Sequence, residues 1–513
     1  MKKIKYISLI ALAISFASCD VDNTLQEIKD NTPEVALVSG SADFSKYVSI
    51  GASFTSGFTD GALFKAAQEN SFPNILSKKF AMIGGGEFIQ PLTNDNIGGL
   101  TMGGTVIQGP RLFFNGAGPA PLPATPTTDI LNPVTGSLNN FGVPGAKSFH
   151  FVAPGYGNVA GVPLGLANPY YARFASEATA TVLGDAVAAS PTFFTLSEAG
   201  GNDVLSFALA GGDGVDQTGN LNPSSYGRTD ITDPNVFASV FSNMVNALTA
   251  NGAKGVVTTV PYITNLPHFT TIPYNPVPMD AATAGAVNAG FAPYNGGIQQ
   301  AFGALVAMNL MTQEMADAEI ARRTITFSEG QNALVIIDES LTDLEAINPA
   351  FAGLKQYRQT TDEDLIVLTA SSFIGTTVGG NPQLINGVTV PLADKWVLTP
   401  EEQMSIKNAT DAYNTTIMSV ASSKGLAVVD LKAILEEAST TGMQFDDFTM
   451  NTSLVFGGMV SLDGVHLTAR GYALMANKFL AAIDATYSSN FTEATNGLAN
   501  SLNYPTNYSP SLR

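Results

Sequence analysis

Apolar residues along this chain fall into short unbroken runs and longer segments with helical spacing. The runs are Lys46 to Ile50 (K-Y-V-S-I), Phe193 to Ser197 (F-F-T-L-S), Gly255 to Val260 (G-V-V-T-T-V) and Leu426 to Leu431 (L-A-V-V-D-L). Continuous runs closed by Gly or Pro predict strands covered on both faces. Ala333 to Ile337 and Leu365 to Thr369 are further strand candidates. Between the strands, Asp233 to Gly252 places Val236, Val240, Met244, Val245 and Leu248 on one helical face. Phe72 to Phe80 predicts a helix with Pro73 in its first turn, and Thr399-Pro400-Glu401-Glu402 opens another that runs to Ser423. Ile298 to Arg323 predicts one long helix, and Thr468 to Tyr487 the last. Strands alternating with helices predict an α/β fold: a parallel sheet with helices on both faces and a site at the carboxyl ends of its strands.

Composition narrows the function classes. Of 513 residues, 45% are hydrophobic and 13% charged, a globular balance. The net charge of −19 repels nucleic acid. One cysteine and three histidines leave little for a zinc centre, so any histidine base is His150, His268 or His466. His150 reads as a packing residue and His268 as the lining of an insertion.

The N-terminus carries Lys2, Lys3 and Lys5, then an apolar stretch to Ala17 that ends in F-A-S-C at Cys19. It resembles a bacterial lipoprotein signal, with an ordinary secretory signal as the alternative. The expected organisation is a signal at 1–18, a lipidated Cys19, a tether at 19–40, a domain at 41–498 and a surface tail at 499–513. Gly- and Pro-rich stretches at 85–140, and a long region at 210–400, read as insertions. The expected location is the bacterial envelope, held to a membrane by the lipid on Cys19.

Four separated segments each supply one part of an acyl-transfer site. Gly51-Ala52-Ser53 leaves the first strand and can present the Ser53 hydroxyl, a nucleophile once a base adjoins it. In Asn140 to Ala146 (N-F-G-V-P-G-A), Gly145 can bring a bare N–H to a ligand. Gly200 to Asp203 (G-G-N-D) projects the Asn202 amide from a strand end. Asp463 to His466 (D-G-V-H) lets the carboxylate orient the imidazole.

In this order the segments resemble the SGNH, or GDSL-type, hydrolases. The resemblance implies a three-layer α/β/α flavodoxin-like sandwich that hydrolyses esters without metal or cofactor. It implies Ser53 as nucleophile, His466 as base with Asp463 orienting it, and an oxyanion hole of the Ser53 and Gly145 N–H groups and Asn202. Gly57 also fits the first block, whereas Ala52 stands where the family has aspartate. The expected partners are an ester substrate, lipid or acylated glycan, and the membrane; no protein partner is expected. A carbohydrate acetylesterase and a non-catalytic glycan- or lipid-binding lipoprotein are the rival readings.

Overall fold

Five strands form the centre of the computed structural model, which describes residues 34–513. They are β1 (Tyr47–Gly51), β2 (Asn140–Gly142), β3 (Phe193–Ser197), β4 (Lys254–Thr258) and β5 (Ala427–Val429). All pair in parallel, in the order β2-β1-β3-β4-β5, one of the two common doubly wound orders. The three-residue β2 is the one central strand without an apolar run; its N-F-G is buried by its place beside β1.

Strand side chains alternate between faces, and the core divides accordingly. Tyr47, Phe193 and Val256 pack with helices α2 (Phe72–Ala81), α9 (Leu431–Thr440) and α10 (Ala469–Tyr487). Val48, Ile50, Phe194, Leu196 and Val257 point the other way. They meet α3 (Val182–Ala188), α4 (Gly201–Leu209), α5 (Pro234–Thr249) and α8 (Pro400–Lys424). Both faces of the sheet are therefore dry, which is why its strands read as unbroken apolar runs.

Helix starts follow local chemistry. The Asp233 side chain accepts the N–H groups of Asn235 and Val236, with Pro234 in the first turn of α5. Thr399 and Glu402 form a reciprocal capping box at the start of α8. The single helix expected over 298–323 is instead two, α6 (Ala281–Ala307) and α7 (Gln313–Arg323). Asn309 takes a left-handed φ of 57°, the Leu310 N–H closes on the Leu305 carbonyl at 3.0 Å, and Thr312 caps α7. This helix stop followed by a start lies within an apolar stretch, where periodicity does not reveal it.

Residues Leu37–Arg513 form one compact unit. Segment 85–140 folds into two small hairpins, Leu100–Met102 with Thr105–Gln108 and Leu112–Phe114 with Pro119–Pro121. Within 499–513, Ala499, Ser501 and Tyr508 are buried, and the segment is tied down. Arg111, fully buried, donates to the carbonyls of Ser509 at 2.7 Å and Leu512 at 3.1 Å. The signal at 1–18, Cys19 and most of the 19–40 tether lie outside the described residues. No helix among the described residues is long and apolar enough to cross a membrane.

Candidate active site

Register brings three of the four segments to one edge. Gly51 of β1 pairs with Gly142 of β2 on one side and Ser197 of β3 on the other. Ser53, Gly145 and Asn202 follow these three residues by two, three and five positions, so their turns leave adjacent strands about 4.8 Å apart.

Ser53 begins a single helical turn, α1 (Ser53–Ser56), and is 6% exposed. Its hydroxyl makes no hydrogen bond among the described residues, and its N–H stands at the open start of the helix. The turn closes with Gly57 at φ 82°, where a Cβ would press on Ser71 and the Ala67 carbonyl. The Phe58 N–H then returns to the Ser53 carbonyl at 3.0 Å.

Gly145 also has a left-handed backbone, φ 80°, and open space where a side chain would stand. The Val143 N–H holds its turn to the Gly51 carbonyl at 2.8 Å. Asn202 occupies the first turn of α4 rather than the strand end, and Nδ2 donates to the Ala146 carbonyl at 3.0 Å. One Asn202 proton thus fixes the Gly145 turn and the other is left for a ligand.

His466 and Asp463 meet as the D-x-x-H spacing predicts, with Nδ1 and Oδ2 2.9 Å apart. Asp463 is the hub of the loop before α10. It also accepts the N–H groups of His466 and Val465 at 2.9 Å, the Ser461 hydroxyl at 3.0 Å and the Gly61 N–H at 2.8 Å. Burial alone would raise its pKa, but His466 and these N–H groups hold the carboxyl well below its ordinary range. A charged Asp463 fixes the proton on Nδ1 and leaves the Nε2 lone pair outward.

The loop after Ser53 is laced to the histidine loop. The Asp60 N–H donates to Ser461 Oγ at 3.1 Å, and Asp60 Oδ1 accepts the Leu462 N–H at 3.1 Å. Tyr472 in α10 donates to the Phe58 carbonyl at 2.6 Å. The Phe58 ring lies 4.6 Å from the His466 ring, centroid to centroid. The Ser53 segment and His466 thus share this edge, but no hydrogen bond joins Ser53 Oγ to His466 Nε2.

Three contributors escape sequence reasoning. Glu198, at the end of β3 with φ 48°, accepts the Phe54 N–H at 2.8 Å. It supplies the acceptor that Ala52 lacks. Asp60 is buried beside Asp463, and burial foremost pushes its carboxyl up to about 7. His268 supports the histidine loop rather than only lining an insertion: its backbone N–H donates to the Gly464 carbonyl at 3.0 Å, and its ring Nδ1 lies 3.3 Å from the Asp463 carbonyl. Only the F-T-D-G run after Ser53 carried a signal, since it continues the first block.

His150 is structural. Its Nδ1 accepts the Lys147 N–H at 3.0 Å, its ring stacks on Tyr156 at 4.3 Å, and burial pushes its pKa down to about 3. The Phe58 ring beside His466 packs in turn on Tyr170, at 6.2 Å, within a small apolar cluster that also takes in Val159 and Val162. Comparison of the chain with protein-family models, curated proteins and solved structures finds no match.

Proposed function

We propose that this chain is a serine ester hydrolase of the SGNH type, anchored in a bacterial envelope through Cys19. The observation that carries the reading is the convergence, at one sheet edge, of a helix-start N–H turn at Ser53, a bare glycine turn at Gly145, the Asn202 amide and a carboxylate-oriented imidazole.

In the proposed cycle His466 Nε2 takes the Ser53 proton as Oγ attacks the ester carbonyl carbon. The new oxyanion meets the N–H groups of Ser53 and Gly145 and the spare Asn202 proton, each donor worth roughly 2.7–4 kcal/mol. His466 then hands its proton to the leaving alkoxide, and the alcohol departs. Water attacks the acyl-enzyme by the same route and returns Ser53. Asp463 stays charged and keeps the imidazole in register. Hydrogen bonds of this kind are often long before substrate binds and tighten in the complex, which accommodates the open Ser53–His466 gap.

The Phe58 ring beside His466, backed by the Tyr170 cluster, favours an acyl chain over a bare acetyl group as the part of the ester that is gripped. Exposed Leu164 and Leu166, at 71% and 72%, follow Val159 and Val162 along the chain.

Aryl esters of two to twelve carbons, assayed with wild type, Ser53→Ala and His466→Ala, test the proposal. Each substitution should lower kcat at least about 10³-fold, and a fluorophosphonate probe should label wild type but not Ser53→Ala. Undiminished turnover in either variant would overturn the assignment. Turnover confined to acetate would shift the reading to a carbohydrate acetylesterase, and a folded protein that neither turns over nor labels would make it a binding protein.

A further inference from the structure

Away from that edge, Glu339, Asp394 and Glu402 each place a carboxylate oxygen within 4.8 Å of the others'. They come from three separate stretches. Glu339 follows the short strand Val335–Ile337, Asp394 precedes Trp396, and Glu402 lies in the first turn of α8.

Glu402 is 9% exposed. Its Oε2 is spent on the Thr399 cap, accepting the backbone N–H at 2.6 Å and the hydroxyl at 2.8 Å. Its Oε1 is buried and has no hydrogen-bond partner, and Asp394 Oδ1 is in the same condition. Buried acceptors left bare are costly, and two carboxylates facing one another add repulsion. Among the described residues, no ion pair reaches Glu339, Asp394 or Glu402. Arg358 is engaged by Asp338 and Asp364, and Arg322 by Asp338 and Glu401.

The backbone is shaped around this gap. Gly212, with φ 96°, stands where any Cβ would overlap the Glu402 carboxylate, and a Cβ on Gly211 would strike the backbone of Asp394 and Lys395. A cavity of about 230 Å³ adjoins, lined by Asp338, Glu339, Ser340, Thr399, Glu401 and Glu402. Burial foremost and the neighbouring carboxylates next push Asp394 up to about 7 and Glu402 up to about 8.

We propose that Glu339, Asp394 and Glu402 form a site for a hard divalent cation, calcium, which fastens the inserted region to the core. The ligand set is all oxygen, the cavity has room for the several waters that complete a six- to eight-fold shell, and soft-metal ligands are absent from the cluster. The cation would join α8 and the inserted residues 339 and 394 beside the Gly211–Gly212 turn. That turn ends α4, the helix that carries Asn202 at its other end. Its role is structural, and the proposal stands apart from the esterase reading.

Trp396 is the chain's single tryptophan and lies two residues from Asp394, so it can sensitise a terbium ion bound there. Terbium is titrated into chelator-stripped full-length protein, and calcium chloride is then added as competitor. The expected result is saturable, single-site emission that calcium displaces, weakened at least tenfold in both Asp394→Asn and Glu402→Gln. Calcium should raise the Tm of wild type and not of the variants. Should either variant fail to fold, Glu339→Gln, on the exposed side, must show the same weakening. Absence of saturable emission, emission that calcium does not displace, equal binding in the folded variants, or a Tm indifferent to calcium would each overturn the proposal; the last is the result expected if the carboxylates simply share protons.

Discussion

Glu198 steadies the Ser53 turn by accepting the Phe54 backbone N–H. Its carboxyl is pushed up to about 8, because burial outweighs the N–H groups that favour the charged form. The unfolded chain releases this proton near pH ~4.3. Folding therefore holds the proton more tightly, and the stability that this provides is complete below the unfolded value and lost as pH rises to about 8. Asp60, pushed up to about 7, adds a loss of the same sign. Asp463 acts oppositely: its contribution is present at neutral pH and fades only in strong acid, as its lowered pKa is crossed. Glu198→Gln keeps an acceptor for the turn and removes the titration. Urea midpoints taken between about pH 5 and pH 8 should fall less steeply in this variant than in wild type; an identical slope would show that Glu198 does not titrate there.

At the scale of elements, α1 is pressed directly on β2. A Cβ at Gly142 would land on the backbone of Ser56 and Thr55, with no flexible side chain to give way. Gly142→Ala must therefore shift the turn that aims Ser53, at a cost of about 1–3 kcal/mol in stability. A displacement of about 1 Å can cost ~10²-fold in rate. The expectation is a large fall in kcat for aryl esters with KM nearly unchanged, in a protein that still unfolds cooperatively. Unaltered kcat would mean that the α1–β2 contact does not position the proposed nucleophile, Ser53. Elements were legible in the sequence where a local rule decides them. Phe193–Ser197 is recovered to the residue, and the cap at Thr399 falls where its side chain suggested. The strand Asn140–Gly142 was not legible, because its burial comes from the β1 edge and not from its own composition.

At the scale of the whole molecule, long-range ties hold the C-terminal residues to the 85–140 segment. Among the described residues, no carboxylate makes a hydrogen bond to buried Arg111; carbonyls of Asn96, Leu112, Tyr508, Ser509 and Leu512 accept its protons. Deleting residues 505–513 removes three of these acceptors and leaves a buried guanidinium short of partners, costing about 3 kcal/mol. Denaturant melts of the truncated chain should show that loss, and Arg111→Met in the truncated chain should recover part of it. A truncated chain as stable as the full one would show that the tail is not needed there.

By itself, the sequence determined the parallel α/β layering, since strands covered on both faces need unbroken apolar runs, and it determined the D-x-x-H pairing of Asp463 with His466, whose partners are three residues apart. Tertiary structure alone decided that Glu198 serves the Ser53 turn across 144 residues, that His268 braces the loop at Gly464, and that Glu339, Asp394 and Glu402 converge. The physical reason is the same in each case. A carboxylate or imidazole is an ordinary surface residue in the sequence, and it becomes an acceptor, a brace or a ligand only when the sheet register and the helix packing bring a distant backbone or charge against it.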